Sequence, residues 1–410
     1  MDAAPEESEF VREVRARCRA EESGVFWVRD GELGVFDPEV ARKVHARNFA
    51  DLTLADKLTD VVRGRTSEPF TWKDVRAAWL PQLRRLSDAE GIRQLGARME
   101  VLLEARAGRP LDLMWVAQEV ITQSLLPLIV KSLPAADLAR VLRDQEFKLT
   151  RLLRTGPSRT TFWSEVRSIL AQMRSGAAIR RELGGRASGR RPRQLDLTDP
   201  IVDLLPMLGM DRAVDSVTAV ITATAGPPGA AAASLLYELA RRPDWLARLT
   251  DELGAVPLPD FHAEPTRAAP VTHRFVKEVL RMWGPPMFLT RNVKTDLQVD
   301  AVSLKKDQRY FVSPYLLHHD PKHWKDPDTF DPERWLPEAP RGACPRASYV
   351  PFGWAPTACI GAGLGTAQLM LFCHLLVTRY RIQLSEPGAV RMRLAAMPMP
   401  LDFRGTLTPR

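Results

Sequence analysis

Tyr349-Val350-Pro351-Phe352-Gly353-Trp354-Ala355-Pro356-Thr357-Ala358-Cys359-Ile360-Gly361 is the stretch on which the reading of this chain turns. Cys359 lies at the end of a turn-rich loop. The apolar run Leu364 to Val377 behind it reads as a helix. A cysteine between a loop and a helix N-terminus is placed to ionise, because the helix dipole favours negative charge there. Gly361 and Gly363 let the backbone pass close to a flat group. A thiolate in this setting is a strong axial ligand for heme iron. The competing reading is a buried, inert cysteine, the commoner fate of a lone one.

Three further motifs bear on that choice. Phe275-Val276-Lys277-Glu278-Val279-Leu280-Arg281 puts Glu278 and Arg281 on one helix face at i, i+3. By itself this could be a solvated ion pair, worth a few tenths of a kcal/mol. Phe330-Asp331-Pro332-Glu333-Arg334-Trp335 follows it, and Trp72-Lys73-Asp74-Val75-Arg76 precedes it. Arg291 stands in Leu289-Thr290-Arg291-Asn292-Val293.

The cysteine loop resembles the heme-binding signature of the cytochrome P-450 superfamily, Phe-x-x-Gly-x-x-x-Cys-x-Gly, and the other motifs occur in that family's order. Phe352, Cys359 and Gly361 fit, and Gly353 follows Phe352. Ala355 replaces the internal glycine, and Thr357 replaces a basic residue that meets a heme propionate. The resemblance implies heme b, with Cys359 as its iron ligand. It implies that Glu278, Arg281 and Arg334 form a buried network holding the cysteine loop. It implies that Trp72, Arg76 and Arg291 meet propionates.

The central helix departs from the family. The resembled proteins carry Ala-Gly-x-(Asp or Glu)-Thr-Thr there, an acid and an alcohol that deliver protons to dioxygen. Here the chain reads Ile221-Thr222-Ala223-Thr224-Ala225-Gly226-Pro227-Pro228-Gly229. Anchored without gaps on Leu236 to Pro243, the acid falls on Gly226 and the alcohol on Pro227. With a two-residue gap they fall on Pro228 and Gly229. Neither register supplies an acid or an alcohol. Two prolines also remove the helical partners of the Ala223 and Thr224 carbonyls, at about 3 kcal/mol or more per proline. The expectation is a real break at Gly226-Pro227-Pro228, with those residues and Thr224 on the distal face. Thr218, Thr222 and Thr224 are the hydroxyls close enough to substitute. The alternative is that the prolines only lock a bulge and water carries the proton.

The rest of the chain bounds these readings. Length 410 allows one large core, and a single domain over 1–410 is expected. The pattern is mainly α with a small β part, a P-450-like fold. Strands are expected near 24–36, 295–315 and 380–408, and helices at 86–106, 112–132, 135–175 and 211–241. Asp37 should cap the helix opened by Pro38. Arg180 to Arg193, rich in Arg and Gly, is expected to be a mobile loop. The net charge of +8 suits an acidic ferredoxin-type electron donor or simple solubility, and no nucleic-acid motif accompanies it. Cys18, Cys344, Cys359 and Cys373 form no metal box or disulfide framework, which fits a cytoplasmic protein. The polar N-terminus and the lack of an apolar run of spanning length argue against a membrane.

The function implied is a heme-thiolate enzyme acting on an apolar small molecule in specialised metabolism, with atypical oxygen chemistry. One alternative keeps the fold without redox chemistry: a cyclase, isomerase or lyase on a terpenoid or polyketide. Another is a non-catalytic carrier or recruiting protein. Substrate contacts are expected from loops around 50–70, 150–190, 285–290 and 395–402.

Overall fold

The Asp37 carboxylate accepts the Val40 N–H at 2.8 Å, and Pro38 opens the helix behind it, so the expected cap forms. The structure, a computed structural model, describes residues 5–47, 52–53, 72–153, 162–337, 347–356 and 358–410. In chain order the first elements are β1 (Glu6–Glu7), α1 (Glu9–Ala20), β2 (Val25–Arg29), β3 (Glu32–Val35), α2 (Pro38–His45) and β4 (Leu52–Thr53). A helical stretch follows: α3 (Trp72–Leu86), α4 (Ala89–Glu104), the short β5 (Leu111–Asp112), α5 (Leu113–Ile129), α6 (Ala135–Leu153), α7 (Phe162–Ala187) and α8 (Asp199–Asp203). The central helix is two helices, α9 (Leu205–Thr224) and α10 (Pro227–Arg241). Then come α11 (Pro243–Ala255), α12 (Leu258–Ala263), α13 (Pro265–Ala268) and α14 (Pro270–Trp283). Strands β6 (Leu289–Val293), β7 (Leu297–Val299), β8 (Val302–Leu304) and β9 (Arg309–Val312) lead to α15 (Pro314–His318). The chain ends with α16 (Ala362–Arg379), β10 (Tyr380–Leu384), β11 (Arg391–Leu394), β12 (Pro398–Leu401) and β13 (Arg404–Pro409). The fold is mainly α with a small β part, as the sequence predicts.

Contacts divide the chain into two compact units. One comprises Met1–Lys73, Lys277–Ala362 and Arg393–Pro398. Its centre is a five-stranded mixed sheet ordered β2-β3-β9-β6-β4, in which β3 pairs parallel with β9 and the other pairs are antiparallel. Leu33, Val35, Val44, Val293, Tyr310 and Val312 pack into a core that also contains Val350 and Trp354. The segment leading to Cys359 is thus rooted in this core.

The other unit comprises Asp74–Val276, Gly363–Met392 and Met399–Arg410. Helix α5 is apolar on nearly every face and is buried accordingly, packing along α10. Helices α6 and α7 pack on each other, and α9 packs on α7. A small antiparallel sheet, β10-β13-β5, closes one side. The start of α14 is capped by Glu252, whose carboxylate accepts the Val271 and Thr272 N–H groups at 2.7 Å.

Two expectations need correction. Arg180 to Arg193 is not a loose loop: α7 runs on to Ala187, and the residues after it are clasped by ion pairs. Arg186, with no exposed side-chain surface, meets Glu182 at 2.8 Å and Asp196 at 2.6 Å. Arg191 pairs with Glu182, and Arg193 with Asp203 at 2.9 Å. Carboxylates scattered over 182–203 order a run that looks unpaired when read by composition. The second concerns the membrane. By length and composition Leu205–Arg241 is apolar enough to cross one. It is, however, interrupted at Ala225-Gly226, carries Asp211, Arg212 and Asp215, and is mostly buried in protein.

Candidate active site

The loop before α16 is built from inside outwards. Trp354 is buried against His45, ring centroids 5.5 Å apart, and its indole donates to the Ala347 carbonyl at 3.0 Å. Gly353 has φ +74°, a conformation that glycine adopts without strain, and donates to the Val350 carbonyl. The Cys359 N–H donates to the Phe352 carbonyl at 2.8 Å and closes the loop. Cys359 is exposed, Cys18 is half-buried and Cys373 is buried. Burial raises the Cys18 thiol to about 12 and pushes Cys373 up further, so both are inert. Helix α16 begins at Ala362, which places Cys359 just ahead of its N-terminus. A Cβ on Gly361 would stand 3.8 Å from the Cys359 sulfur, and one on Gly363 would meet nothing within 4 Å. Thr357 lies outside the described residues.

Behind the loop lies a buried polar network. Glu278 and Arg281 are fully buried, which rules out a solvated helix pair. Arg281 donates to both Glu278 oxygens, Nε to Oε2 at 3.0 Å and a terminal nitrogen to Oε1 at 2.8 Å. Its other donors go to the carbonyls of His318, Pro327 and Thr329. Glu278 also accepts from Arg334 Nε at 3.0 Å, the Asp331 N–H at 2.9 Å and the Trp335 indole at 3.0 Å. One carboxylate therefore ties α14 to residues 331–335. A buried charge survives only when paired in this way.

His318 completes the connection. Its Nε2 accepts the Val350 N–H at 2.9 Å, so the ring proton sits on Nδ1 and points at the Arg281 carbonyl, 3.0 Å away. Burial, with Arg281 beside it, lowers its pKa to about 3. The neutral ring bridges the ion-pair network to the start of the cysteine loop.

Arg291 lies on β6, nearly buried, and burial lowers its pKa. It stands close enough to depress His45, whose pKa falls to about 4, mainly through burial. Arg76 is half-buried on α3. Trp72 opens that helix, but its side chain lies outside the described residues. Arg76 and Arg291 belong to different units.

The central helix breaks where the sequence predicts. Helix α9 ends at Thr224, Gly226 has φ −132° and ψ −65°, and Pro227 starts α10. Four side chains from two neighbouring helices hold the broken end. From α5, Gln118 donates to the Ala225 carbonyl at 2.6 Å and to Thr122 Oγ1 at 2.9 Å, and Thr122 donates to the Thr224 carbonyl at 3.4 Å. From α6, Gln145 donates to the Ile221 carbonyl at 3.1 Å and Lys148 to Thr222 Oγ1 at 2.9 Å. Carbonyls orphaned at a helix end thus find partners. Gly229 makes room: a Cβ there would sit 2.0 Å from Gln118 Oε1. The hydroxyls of Thr222 and Thr224 donate to the carbonyls of Thr218 and Ile221 in their own helix. Gly226, Pro227 and Pro228 offer no ionisable side chain.

The model of the cytochrome P450 family matches residues 211–401. That span takes in the broken helix, Glu278, Arg281, Arg334 and Cys359. Over those residues, just under half of the chain, the sequence is similar to the cytochrome P450 family, and the fold is that of its heme domains. The heme domain of cytochrome P450DA superposes with a TM-score of 0.75 at 17% identity, over 100% of this chain and 98% of that one. The retinoic acid-bound cyanobacterial CYP120A1 gives 0.74 at 16% identity, over 92% and 89%. In sequence, this chain is 31% identical to mouse thromboxane-A synthase over 43% of its own length and 32% of that protein. It is 32% identical to human cytochrome P450 3A5, over 42% and 33%. It is 30% identical to the putative cytochrome P450 136 of Mycobacterium tuberculosis, over 42% and 35%. The match thus spans about a third of the length of these curated relatives.

The family implies a heme iron, and the cysteine loop fits one. Its thiol is exposed, sits before a helix N-terminus, and is flanked by glycines with open space around them. Sequence reading missed His318, Trp335, Gln118, Gln145 and Lys148. A signal existed for Gln118: it stands at i, i+4 with Thr122 in a mostly apolar helix whose one charged residue is Glu119.

Proposed function

We propose that this chain is a cytochrome P450, a heme-thiolate enzyme acting on an apolar small molecule in specialised metabolism, with oxygen chemistry unlike that of an ordinary monooxygenase. The observation that carries the enzyme reading is Cys359, exposed at the loop–helix junction on a segment anchored through His318 to the Glu278–Arg281 pair. When bound, heme b supplies a redox-active iron whose reactivity the thiolate tunes. Cys359 would hold the iron, and Trp72, Arg76 and Arg291 would hold the propionates. Glu278, Arg281 and Arg334 keep the loop in place.

The atypical part rests on Gly226, Pro227 and Pro228. A positioned acid or base is worth about 10²–10⁴-fold in rate, and these residues provide none. The Thr224 proton is committed to the Ile221 carbonyl. The Thr218 hydroxyl is buried with no hydrogen-bond partner among the described residues, so proton movement would depend on it, on water or on the substrate's own groups. The same observation favours a second reading, a cyclase, isomerase or lyase that needs no reductant. We place the protein in the cytoplasm as one heme domain, served by a ferredoxin-type donor if it uses electrons.

Two measurements test this. The reduced protein under carbon monoxide should show the red-shifted Soret band of thiolate-ligated heme, and Cys359→Ala should abolish it while Cys373→Ala should not. A protein without heme returns the reading to a carrier or recruiting role. Product mass spectrometry with and without reductant then separates redox from non-redox chemistry.

A further inference from the structure

The end of α9 presents an unusual surface. Ile221, Ala225 and Gly226 are buried, yet Thr222 and Ala223 between them are exposed. Lys148 of α6 reaches this exposed step. Its ammonium donates to Asp144 at 2.8 Å and to Thr222 Oγ1 at 2.9 Å. Asp144 is 1% exposed and the Lys148 side chain 18%. An ammonium has three donors. Two are used, and the third has no partner among the described residues. One residue along α6, Gln145 grips the Ile221 carbonyl, so the lysine is held in register with the broken end.

The charge balance decides what such a donor would bind. Asp144 already neutralises Lys148. A carboxylate or phosphate added here would leave a half-buried cluster with net negative charge, which is costly. A neutral acceptor leaves the balance unchanged and receives a charge-assisted hydrogen bond, stronger than one between neutral groups. The ion pair also fixes the lysine rotamer beforehand, which lowers the entropy lost on binding.

We propose that Lys148 is a substrate-recognition residue whose free N–H, beside the Thr222 hydroxyl, binds a neutral carbonyl oxygen of an otherwise apolar substrate. The proposal rests on the reading of this chain as a heme-thiolate enzyme for small molecules. It narrows the substrate class to ketones, lactones and esters rather than hydrocarbons or acids.

The test uses the heme-loaded protein. Heme content and the reduced carbon monoxide spectrum are recorded first, and failure there overturns the enzyme reading itself. Binding of 1-decalone, decalin and decalin-1-carboxylic acid is then measured by equilibrium dialysis, which does not depend on turnover. The ketone should bind about tenfold tighter than the hydrocarbon, and tighter than the acid. Lys148→Met should lose about that factor for the ketone and less than twofold for decalin. If Lys148→Met does not fold, Lys148→Gln, which keeps a neutral donor but loses the charge, should still weaken the ketone several-fold and spare decalin. In a heme-loaded protein the proposal fails if the ketone does not bind, binds no tighter than decalin, or binds more weakly than the acid. It fails also if the substitution weakens ketone and hydrocarbon alike, which would make Lys148 only a tie between α6 and α9.

Discussion

The Nε2 of His318 accepts the Val350 N–H at 2.9 Å, which places a neutral, fully buried imidazole between the Glu278–Arg281 pair and the segment leading to Cys359. Through this contact the scaffold network touches the cysteine loop. Arg281 reaches His318 twice, by its guanidinium on the His318 carbonyl and by its own carbonyl on Nδ1.

His318 should make the protein acid-sensitive. Its folded pKa is about 3, below the ordinary value of 6.5. Above pH 6.5 both folded and unfolded chains carry it neutral, and its contribution to stability is complete. As pH falls from 6.5 towards 3, only the unfolded chain takes up the proton, and stability is lost. His318→Gln should cost about 1–3 kcal/mol at pH 7 through the severed bridge. It should also flatten the dependence of the urea midpoint on pH between 7 and 4. An equal slope in both proteins would show that His318 is not the titrating group.

The glycine after the proline pair is fixed by a neighbour rather than by the backbone. Gly229→Ala should destabilise by about 1–3 kcal/mol, because its Cβ would collide with Gln118 Oε1. Gln118→Ala alone should cost a similar amount by orphaning the Ala225 carbonyl. The double variant should be more stable than the sum of the two losses predicts. A double-mutant cycle by chemical denaturation reads the coupling, and simple additivity would deny the contact.

Heme retention should lean on few propionate partners, since Thr357 stands where the resembled family has a basic residue. Arg76→Ala should lower the heme-to-protein ratio of the purified enzyme clearly. Unchanged occupancy would remove Arg76 from the site.

Restoring the missing pair should change the chemistry. Gly226→Glu with Pro227→Thr should tighten coupling of reductant to product, or shift the protein towards ordinary oxygen activation. Efficient, tightly coupled NAD(P)H-dependent hydroxylation by the unaltered protein would refute the atypical reading.

Much of the site was legible because it depends on local chemistry. The loop around Cys359, the i, i+3 spacing of Glu278 and Arg281, and the Gly226-Pro227-Pro228 break each follow from residue type and short spacing. Arg180 to Arg193 misled because some of its arginines are neutralised by carboxylates up to 44 residues away in sequence, such as Asp137 against Arg181 and Asp211 against Arg180. Gln118 lies 107 residues from Ala225, a separation over which no periodicity pairs them.

The sequence by itself determined that this chain carries a candidate thiolate before a helix, a companion set of arginines and a glutamate, and a central helix that cannot continue through two prolines. Those are properties of covalent structure and backbone sterics, which act over a few residues. Tertiary structure decided the rest. It buried Glu278 so that a pair worth tenths of a kcal/mol in water became the hub of a network. It set His318 between that hub and the cysteine loop. It brought Gln118, Thr122, Gln145 and Lys148 to the broken helix end. Burial and long-range hydrogen bonding depend on what packs around a group, and packing exists only once the chain has folded.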